Sequence, residues 1–328
     1  MLISREDSTM ILNETVYPFP EDSYKKILDA KWRDLGGDYQ EGCLFGRDQQ
    51  TIHYRVLNHP SPIGAMVICH DGCESALRYV EWAMFYRDLG YQVYLLDFRG
   101  HGRSSRSLPN RSVTHVTDFD EYARDLADIT SRIDRRLPLS LMAFGMGGAV
   151  ALCYMQKNPD RIKSACLVSP LLSVFLPAPE GLYKWKLARS IQKGLSEELL
   201  SGCTCYQPGE VYPNSGWHSF TRFAWYREAR AADTRLQNTA YTMGWLNAAL
   251  DASKRIYSAP TKKINTRVLL IEAGQDRIVP SVSYHKLMRL LPSGHYLRMS
   301  EAEHRIQNGD EKTLGDLMSL AAEFFAST

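Results

Sequence analysis

Short apolar runs alternate with amphipathic segments over most of this chain. Thr51–Leu57 alternates apolar and polar residues as a half-buried strand does. The runs at 65–70 and 91–96 are mostly apolar, which is typical of strands buried in a parallel sheet. Between them, residues 75–89 repeat apolar positions at helical spacing, and Gly90 follows as a helix stop. This stretch therefore predicts two buried strands with a helix between them.

The same rhythm continues toward the C-terminus. Further buried strands are predicted at Leu139–Phe144, Ser164–Val168, 267–271 and 296–299. Helices are predicted at 118–133, 147–156, 281–291 and 312–325. Strands that alternate with helices at this spacing predict an α/β fold, in which a mostly parallel sheet carries helices on both faces.

Two segments break this rhythm and suggest the domain boundaries. Residues 1–45 are polar and weakly patterned, and they are predicted to be an N-terminal extension with one short helix. Residues 170–263 are rich in aromatic and basic residues, and their pattern has no run of the buried-strand type. They are predicted to be a helical cap (lid) inserted into the core, which then consists of residues 46–169 and 264–328.

Composition and charge narrow the possible functions. The chain has 328 residues, of which 44% are hydrophobic and 23% charged, as in ordinary globular proteins. Its formal net charge of +2 gives no sign of nucleic-acid binding. Residues 170–263 nevertheless hold twelve Lys and Arg against seven Asp and Glu. This surplus indicates peripheral contact with an anionic membrane surface, and a solvated helical face explains it equally well.

The cysteines and the N-terminal residues suggest the compartment. The seven cysteines are an odd set, and several lie in apolar runs where Cys acts as a small core residue. Cys203 and Cys205 are too close for a relaxed disulfide and have no partner set for zinc. The sequence shows no signal-peptide pattern and no apolar run long enough to span a membrane. We therefore expect a cytoplasmic location, at most peripheral to the inner membrane face, and no cofactor or metal.

Candidate chemistry lies at the carboxyl ends of the predicted strands, where an open parallel sheet collects reactive groups. After Leu139–Phe144 comes a turn in which Ala143 and Gly147 stand two positions before and after Gly145. Small residues at these places are what a nucleophile elbow, a strained strand-to-helix turn, requires. Gly145 therefore takes the nucleophile position, where Ser is expected. By itself, this turn is equally typical of a helix packed closely on a sheet.

Two later strand ends supply the other members of a catalytic triad. Asp276 lies in the turn after strand 267–271, where its carboxylate can orient an imidazole. His304 follows the last predicted strand and completes the order of nucleophile, acid and base. Alone, a loop Asp is most often a turn or capping residue, and a single His most often has no catalytic role.

An early turn is the candidate oxyanion hole. Residues 70–75 follow a buried strand, and the backbone N–H of Gly72 would act together with that of Met146, the residue after the nucleophile position. A plain Asp-Gly turn is the alternative. The sequence LDFRGHGRS is expected to shape a neighbouring loop, and His101 and His115 are expected to be structural.

These motifs together resemble the α/β-hydrolase superfamily, and more narrowly its bacterial lysophospholipase and monoacylglycerol lipase branch. The similarity is carried by LDFRGHGRSS, AFGMGG, GQDRIV, the late Glu-His pair, HDGCESALRY and the cap segment 219–253. It extends from about Tyr54 to the C-terminus. The resemblance implies a serine hydrolase that cleaves the acyl ester of a single-chain lipid, with Gly145, Asp276 and His304 at the triad positions.

The sequence departs from that branch at two positions. Gly145 replaces the serine, and Asp71 replaces the glycine of a His-Gly pair, where a carboxylate would oppose a developing oxyanion. Loss of the nucleophile lowers turnover by about a million-fold, so we expect the chain to be inactive or nearly so. Neither Ser140 nor Cys73 matches the geometry of a substitute. Glycine at 145 also excludes the dehalogenase and epoxide hydrolase variants of the fold, which need Asp there.

Three functions stay open at this point. A lysophospholipase-like hydrolase with a changed serine is favoured by the presence of both Asp276 and His304. A non-catalytic pseudoenzyme that binds lipid or protein is favoured by the paired change at Asp71 and Gly145. A peptidase on the same fold is less well supported, because the aromatic, basic cap suits an acyl chain with an anionic head group, although caps vary freely.

Overall fold

A mostly parallel sheet of eight strands forms the centre of the protein. The computed structural model describes residues 2–3, 10–46, 48–176 and 179–327. In chain order the strands are β1 Leu2–Ile3, β2 Met10–Leu12, β3 Thr15–Tyr17, β4 Tyr39–Phe45, β5 Thr51–Leu57, β6 Gly64–Cys69, β7 Tyr91–Leu96, β8 Val113–Thr114, β9 Leu139–Phe144, β10 Ser164–Val168, β11 Ala240–Tyr241, β12 Arg267–Ala273 and β13 Gly294–Met299.

The strand order places the predicted strand ends at one edge of the central sheet. The sheet runs β13-β12-β10-β9-β6-β7-β5-β4. Neighbours from β13 to β7 pair in parallel, whereas β5 pairs antiparallel with both β7 and β4. Parallel neighbours require crossover connections, which here are mostly helical, and the carboxyl ends of β6, β9, β12 and β13 therefore point the same way.

Helices cover both faces of this sheet. In the described part of the chain they are α1 Tyr24–Leu35, α2 Val80–Asp88, α3 Asp120–Thr130, α4 Met146–Lys157, α5 Glu180–Gln192, α6 Phe220–Ala232, α7 Met243–Ile256, α8 Ser281–Met288 and α9 Glu311–Ala326. Strand β6 shows the consequence for sequence. Ala65, Val67 and Cys69 belong to one apolar cluster, while Met66 and Ile68 belong to the other. A strand buried on both faces is apolar throughout, as its sequence indicates.

The predicted α/β fold is confirmed, and most of its elements have the expected bounds. Strands β5, β7, β9 and β10 match the predicted ranges, and β6, β12 and β13 differ by one or two residues at an end. The helix predicted at 75–89 is divided into a 3-10 turn, Ala76–Tyr79, and α2. Apolar periodicity locates such elements well, because each one buries a face against the sheet.

The N-terminal segment is more closely joined to the core than its sequence indicates. The predicted extension contains the twelve-residue helix α1 and the strand β4, which pairs with β5 along its whole length. The side chains of Tyr17, Phe19 and Leu28 are fully buried. The sheet therefore begins before the predicted boundary at residue 45. The pattern is weak there because β4 is an edge strand, in which Leu44 is the one buried residue.

The segment between β10 and β12, which the sequence predicts to be a cap, is helical over much of its described length. It carries α5, α6 and α7, and α7 packs on the core through Trp245, Ala248 and Ala252. A short parallel pairing of β11 with β8 joins the cap to the loop that follows β7. Sequence pattern does not reveal this pairing, since two residues show no periodicity.

A buried ion pair fixes α6 to the core. Arg222 donates from Nη2 and Nε to the two carboxylate oxygens of Glu81 in α2, at 2.7 and 2.8 Å. Its Nη1 and Nη2 also donate to Glu21 Oε2 at 3.1 Å and to the Phe19 carbonyl at 2.7 Å. The side chains of Arg222 and Glu81 are each 5% exposed. Removing either partner would leave the other as an uncompensated buried charge.

Replacing Arg222 by Ala is expected to lower the free energy of unfolding by about 3–5 kcal/mol, the usual cost of breaking a buried pair from one side. Arg235→Ala is the matched control, because Arg235 pairs with Asp233 on the surface of the same cap, where ion pairs contribute about 0–1 kcal/mol. Urea denaturation followed by circular dichroism measures both losses. If the two variants lose similar amounts of unfolding free energy, the buried pair of Arg222 and Glu81 does not fix α6 to the core.

Candidate active site

The turn after β9 has the geometry of a nucleophile elbow. Gly145 has φ 47° and ψ −114°, and α4 begins at the next residue. A Cβ added to Gly147 would lie 2.5 Å from the Cys69 carbonyl oxygen and 2.6 Å from that of His70, so a larger residue does not fit. The requirement for small residues around position 145 thus has a direct cause, which is the close approach of α4 to the end of β6.

The predicted acid and base are hydrogen-bonded to each other. His304 Nδ1 lies 2.8 Å from Asp276 Oδ2, and these side chains are 9% and 4% exposed. Asp276 Oδ1 accepts hydrogen bonds from the backbone N–H groups of Ile278 and Val279, at 2.7 and 2.9 Å. Burial alone raises the pKa of Asp276, but its bonds to His304 and to the backbone hold the pKa below its ordinary value. An ionised Asp276 fixes the Nδ1 proton and leaves Nε2 as the basic nitrogen.

The backbone donors of the predicted oxyanion hole converge on a side chain of the protein itself. The N–H groups of Gly72 and Met146 both donate to Asp71 Oδ1, at 2.7 and 2.8 Å. A Cβ added to Gly145 would overlap the same carboxylate. Asp71 thus occupies both predicted donors and the space that a side chain at residue 145 would take. The sequence predicts that the Asp71 carboxylate opposes an oxyanion. In the structure the carboxylate itself accepts the two N–H groups that would bind the oxyanion.

The surroundings of Asp71 hold its carboxyl group in the ionised form. Burial alone raises its pKa, but the charges of Arg305 and His304, with the two N–H bonds, hold the pKa below the ordinary value. Arg305 Nε lies 3.4 Å from Asp71 Oδ2. Oδ1 is therefore fixed by the backbone, while Oδ2 faces a cation. The contact of Arg305 with Asp71 joins the segment after β13 to the turn after β6.

The turn that carries Asp71 is fixed by buried polar contacts. The Asp71 N–H donates to Glu74 Oε1 at 3.0 Å, and its carbonyl oxygen lies 2.6 Å from His70 Nδ1. His70 Nε2 accepts the Phe98 N–H at 3.1 Å, which assigns the imidazole proton to Nδ1 as the donor to Asp71. Glu74 also accepts a hydrogen bond from the Tyr79 hydroxyl. These bonds leave the Asp71 backbone little freedom to move its carboxylate out of the hole.

Two residues of the site, Tyr241 and Arg305, are not singled out by the sequence. The Tyr241 hydroxyl lies so close to Gly72 that a Cβ on Gly72 would overlap it. Its ring stacks on Trp245 with centroids 3.8 Å apart. Burial raises the pKa of Tyr241, so the phenol stays protonated. Arg305 directly follows His304 in the sequence, and this adjacency could have indicated that it belongs to the site. Nothing in the sequence indicates Tyr241, because spacing does not show which residue of the cap segment contacts the core.

Ser140 and Cys73 are poorly suited to act as nucleophiles, as expected. Ser140 lies inside β9, and its Oγ is 2.9 Å from Ser164 Oγ in the neighbouring strand. Burial raises the pKa of the Cys73 thiol to about 12, so little thiolate forms at neutral pH.

The remaining histidines of the sequence motifs make local contacts. His101 Nδ1 lies 3.0 Å from the Arg99 carbonyl, and His115 Nδ1 lies 2.8 Å from Thr242 Oγ1. Among the described residues, no group of three or more His, Cys, Asp or Glu is arranged to hold a metal ion. Within the same ranges, no helix has the length and apolar character needed to cross a bilayer. The seven cysteines all lie in described segments and are free thiols.

Comparison with known proteins identifies the family. The family described as "Serine aminopeptidase, S33" matches residues 60–311, which is more than half of the chain. The chain belongs to this hydrolase family. The match includes the ends of β6, β9, β12 and β13, which carry the residues of the site.

Several relatives of this hydrolase are described as lysophospholipases or monoglyceride lipases. Probable lysophospholipase L2 of Haemophilus influenzae is 27% identical over 270 residues, which cover 80% of this chain and 84% of that protein. Lysophospholipase L2 of Escherichia coli is 24% identical over 249 residues, covering 74% and 72%. Monoglyceride lipase of Homo sapiens is 29% identical over 130 residues, covering 39% and 40%. These similarities confirm the resemblance to the lysophospholipase and monoacylglycerol lipase branch.

Solved structures show the same fold. A monoacylglycerol lipase from Paleococcus ferrophilus matches 84% of this hydrolase and 98% of its own chain, with a TM-score of 0.64 and 19% identity. A carboxyl esterase from Bacillus coagulans matches 88% and 98%, with a TM-score of 0.68 and 15% identity. The architecture is therefore that of an α/β-hydrolase.

Acid is expected to destabilise the protein partly through Asp71. Because its folded-state pKa lies below the ordinary value, its stabilising contribution is fully present above that ordinary value and is lost as pH falls through the folded-state pKa. Asp71→Asn removes this titration and keeps an oxygen acceptor. We expect the unfolding free energy of the variant to fall less between about pH 6 and pH 3 than that of the unaltered protein. Identical pH dependences in urea denaturation would show that folding does not lower the pKa of Asp71.

Proposed function

We propose that this hydrolase is a serine-hydrolase-type carboxylic ester hydrolase for single-chain lipids, lysophospholipid or monoacylglycerol, whose ester chemistry is blocked in the present sequence. One observation carries the proposal. The Asp71 carboxylate accepts the hydrogen bonds of both predicted oxyanion donors, and it lies where the side chain of a serine at residue 145 would lie. The lipid class is supported by the relatives described as lysophospholipases and monoglyceride lipases.

Two independent losses block ester hydrolysis. Gly145 offers no Oγ, so no acyl-enzyme forms. An enzyme without its nucleophile still keeps roughly a 10³–10⁴-fold acceleration over water through binding and the oxyanion hole. Here Asp71 already occupies both N–H donors, so a substrate carbonyl finds none. We therefore expect ester hydrolysis close to the uncatalysed rate.

A non-catalytic lipid- or protein-binding protein on the same fold is the second candidate. This candidate is favoured because the residues at 71 and 145 are complementary: the Asp71 carboxylate fills the space that the absent side chain of Gly145 leaves. Each change alone would spoil an esterase, whereas together they give a closely packed, charge-compensated site. A single-chain lipid would then be bound without being cleaved.

Restoring the esterase is expected to require both positions. Gly145→Ser alone should stay inactive, because its side chain would overlap the Asp71 carboxylate. Asp71→Gly together with Gly145→Ser frees the predicted hole and supplies the nucleophile that the predicted triad lacks. The double variant should react with a fluorophosphonate probe and hydrolyse lysophosphatidylcholine or monoacylglycerol at least about 10³-fold faster than the unaltered protein.

Asp71→Gly alone is the matched control, because it opens the hole without supplying a nucleophile and should not be labelled. A double variant that is folded by circular dichroism, yet binds lipid tightly without labelling or turnover, would favour the binding protein. Full activity of Gly145→Ser alone would contradict the role given to Asp71.

The cap helix α5 offers a surface suited to a lipid boundary. Trp185 is 62% exposed and Leu182 is 46% exposed. Lys184, Lys186 and Arg189 on the same helix are also exposed. Exposed apolar side chains flanked by cations are typical of proteins that lie on anionic membranes. We propose that α5 contacts such a surface, at the cytoplasmic face of the inner membrane.

Removal of the Trp185 side chain is expected to weaken binding to anionic vesicles about tenfold, because an exposed indole that enters the interface contributes on the order of 1–2 kcal/mol. Co-sedimentation with phosphatidylglycerol vesicles, compared with phosphatidylcholine vesicles, measures the effect. Phe45→Ala is the control, since Phe45 is 77% exposed but lies on the edge strand β4. Equal binding by both variants, or no preference for the anionic lipid, would exclude α5 as the contact.

A further inference from the structure

A small cavity between helix α6 and the turn after β6 is lined by more cations than anions. We propose that this cavity is a phosphate site, and that it binds the head-group phosphate of a lysophospholipid. The assignment to a lipid rests on the proposed function and deepens it, because a phosphate site selects lysophospholipid over the uncharged monoacylglycerol.

The charge of the lining favours an anion. The charged side chains around the cavity are four arginines and two glutamates, namely Arg78, Arg227, Arg230, Arg305, Glu74 and Glu210. Arginine stays protonated in proteins, so the lining has a formal surplus of positive charge. The surplus remains when the Asp71 carboxylate, which contacts Arg305, is counted as well. Guanidinium groups present several donors and no acceptor, which matches the oxygens of a phosphate.

Two of these arginines have buried nitrogens that are available to a ligand. The Arg78 side chain is 6% exposed and donates from Nη1 to Glu74, but its Nε and Nη2 have no hydrogen-bond partner among the described residues. The Arg230 side chain is 10% exposed and donates from Nη1 to Glu210 at 2.8 Å, whereas its buried Nε has no partner in the same ranges. Leaving buried charged donors unpaired is costly, so an acceptor bound in the cavity would stabilise both side chains.

Aromatic rings hold the two guanidinium groups in place. The guanidinium carbon of Arg78 lies 3.9 Å from the centroid of the Trp217 ring, and that of Arg230 lies 4.7 Å from the centroid of Tyr206. Both groups also flank Tyr226, at 6.0 and 5.9 Å from its centroid. A ring that stacks on a guanidinium covers its flat face and leaves the N–H groups at its edge to bond a ligand. Donors fixed in this way lose little freedom when a ligand binds.

The cavity has room for a phosphate group. Its volume is about 50 Å³, whereas one water molecule requires roughly 10–15 Å³. Such a space suits a small tetrahedral anion and is too small for an acyl chain. Arg230 and Glu210 also line a second cavity, of about 370 Å³, which offers room for the rest of a ligand next to the phosphate.

Arg305 connects the cavity with the candidate active site. It lines the cavity, and its Nε lies 3.4 Å from Asp71 Oδ2. Cys73, which directly follows the predicted donor Gly72, lines the cavity too. In a lysophospholipid only the glycerol backbone separates the phosphate from the acyl ester. A phosphate bound here therefore places the ester near the turn after β6.

The first experiment measures the binding of inorganic phosphate. Titration calorimetry of the unaltered protein at constant ionic strength should show saturable binding. Arg78→Gln and Arg230→Gln each remove a cation and an unpartnered N–H while keeping an amide donor for the neighbouring glutamate, and each should weaken binding about tenfold or more. Arg235→Gln is the matched control, because Arg235 pairs with Asp233 on the surface of the same segment. It removes one equal charge and should change the affinity less than about twofold, since solvent screens it.

The second experiment asks whether the phosphate belongs to a lipid. Lysophosphatidic acid and a monoacylglycerol with the same acyl chain are titrated into the unaltered protein below their micelle concentrations. Lysophosphatidic acid should bind at least about tenfold more tightly, and inorganic phosphate should compete with it. Arg230→Gln should abolish this preference, whereas Arg235→Gln should keep it.

The possible failures are distinguishable. Absence of phosphate binding by the folded protein, or equal weakening by Arg230→Gln and Arg235→Gln, would overturn the site. Phosphate binding with equal affinity for the two lipids would assign the site to free phosphate and overturn the head-group assignment. Circular dichroism checks the fold of each variant, and if the loss of Arg78 from Glu74 unfolds the protein, Arg230→Gln decides the test.

None of these results bears on the blocked esterase. That proposal is judged by ester hydrolysis in the double variant at positions 71 and 145. Calorimetry needs no hydrolysis, so failure of the double variant leaves the binding of phosphate to be read by itself.

Discussion

The space beside residue 145 holds a single side chain, and in this protein that side chain belongs to Asp71. Gly145 has the positive φ of an elbow, and its missing Cβ leaves a volume that the Asp71 carboxylate fills. Gly147 packs against the end of β6, which brings the two turns together. In such a dense region a change at either position alters the other. The occupation of both predicted oxyanion donors by the Asp71 carboxylate follows from this mutual exclusion.

A charge buried at such a place persists only where it has partners. The N–H groups of Gly72 and Met146 and the guanidinium of Arg305 supply them. These two N–H groups, predicted to be oxyanion donors, bind the Asp71 carboxylate in the resting protein. These donors therefore stabilise the resting protein, and together with Arg305 they hold the Asp71 carboxylate in one orientation.

The cap takes part in the site through fixed contacts. Arg222 ties α6 to α2 through Glu81, and the pairing of β11 with β8 holds Tyr241 against Gly72. Helix α5 is different, because most of its residues are exposed and Leu187 is its one buried side chain. The cap thus combines a part that is anchored to the core with a part whose apolar side chains face outward.

The sequence by itself determined the alternation of strands and helices, the elbow, and the places of Asp276 and His304, because these depend on local periodicity and on chain order. It did not reveal that β4 belongs to the sheet, since an exposed edge strand has little apolar pattern. Tertiary structure alone decided that Asp71 binds the N–H of Met146, 75 residues away, and that Tyr241 lies beside it. Spacing along a chain shows which residues end a strand. Packing in three dimensions decides, to within an ångström, which of their side chains share a space.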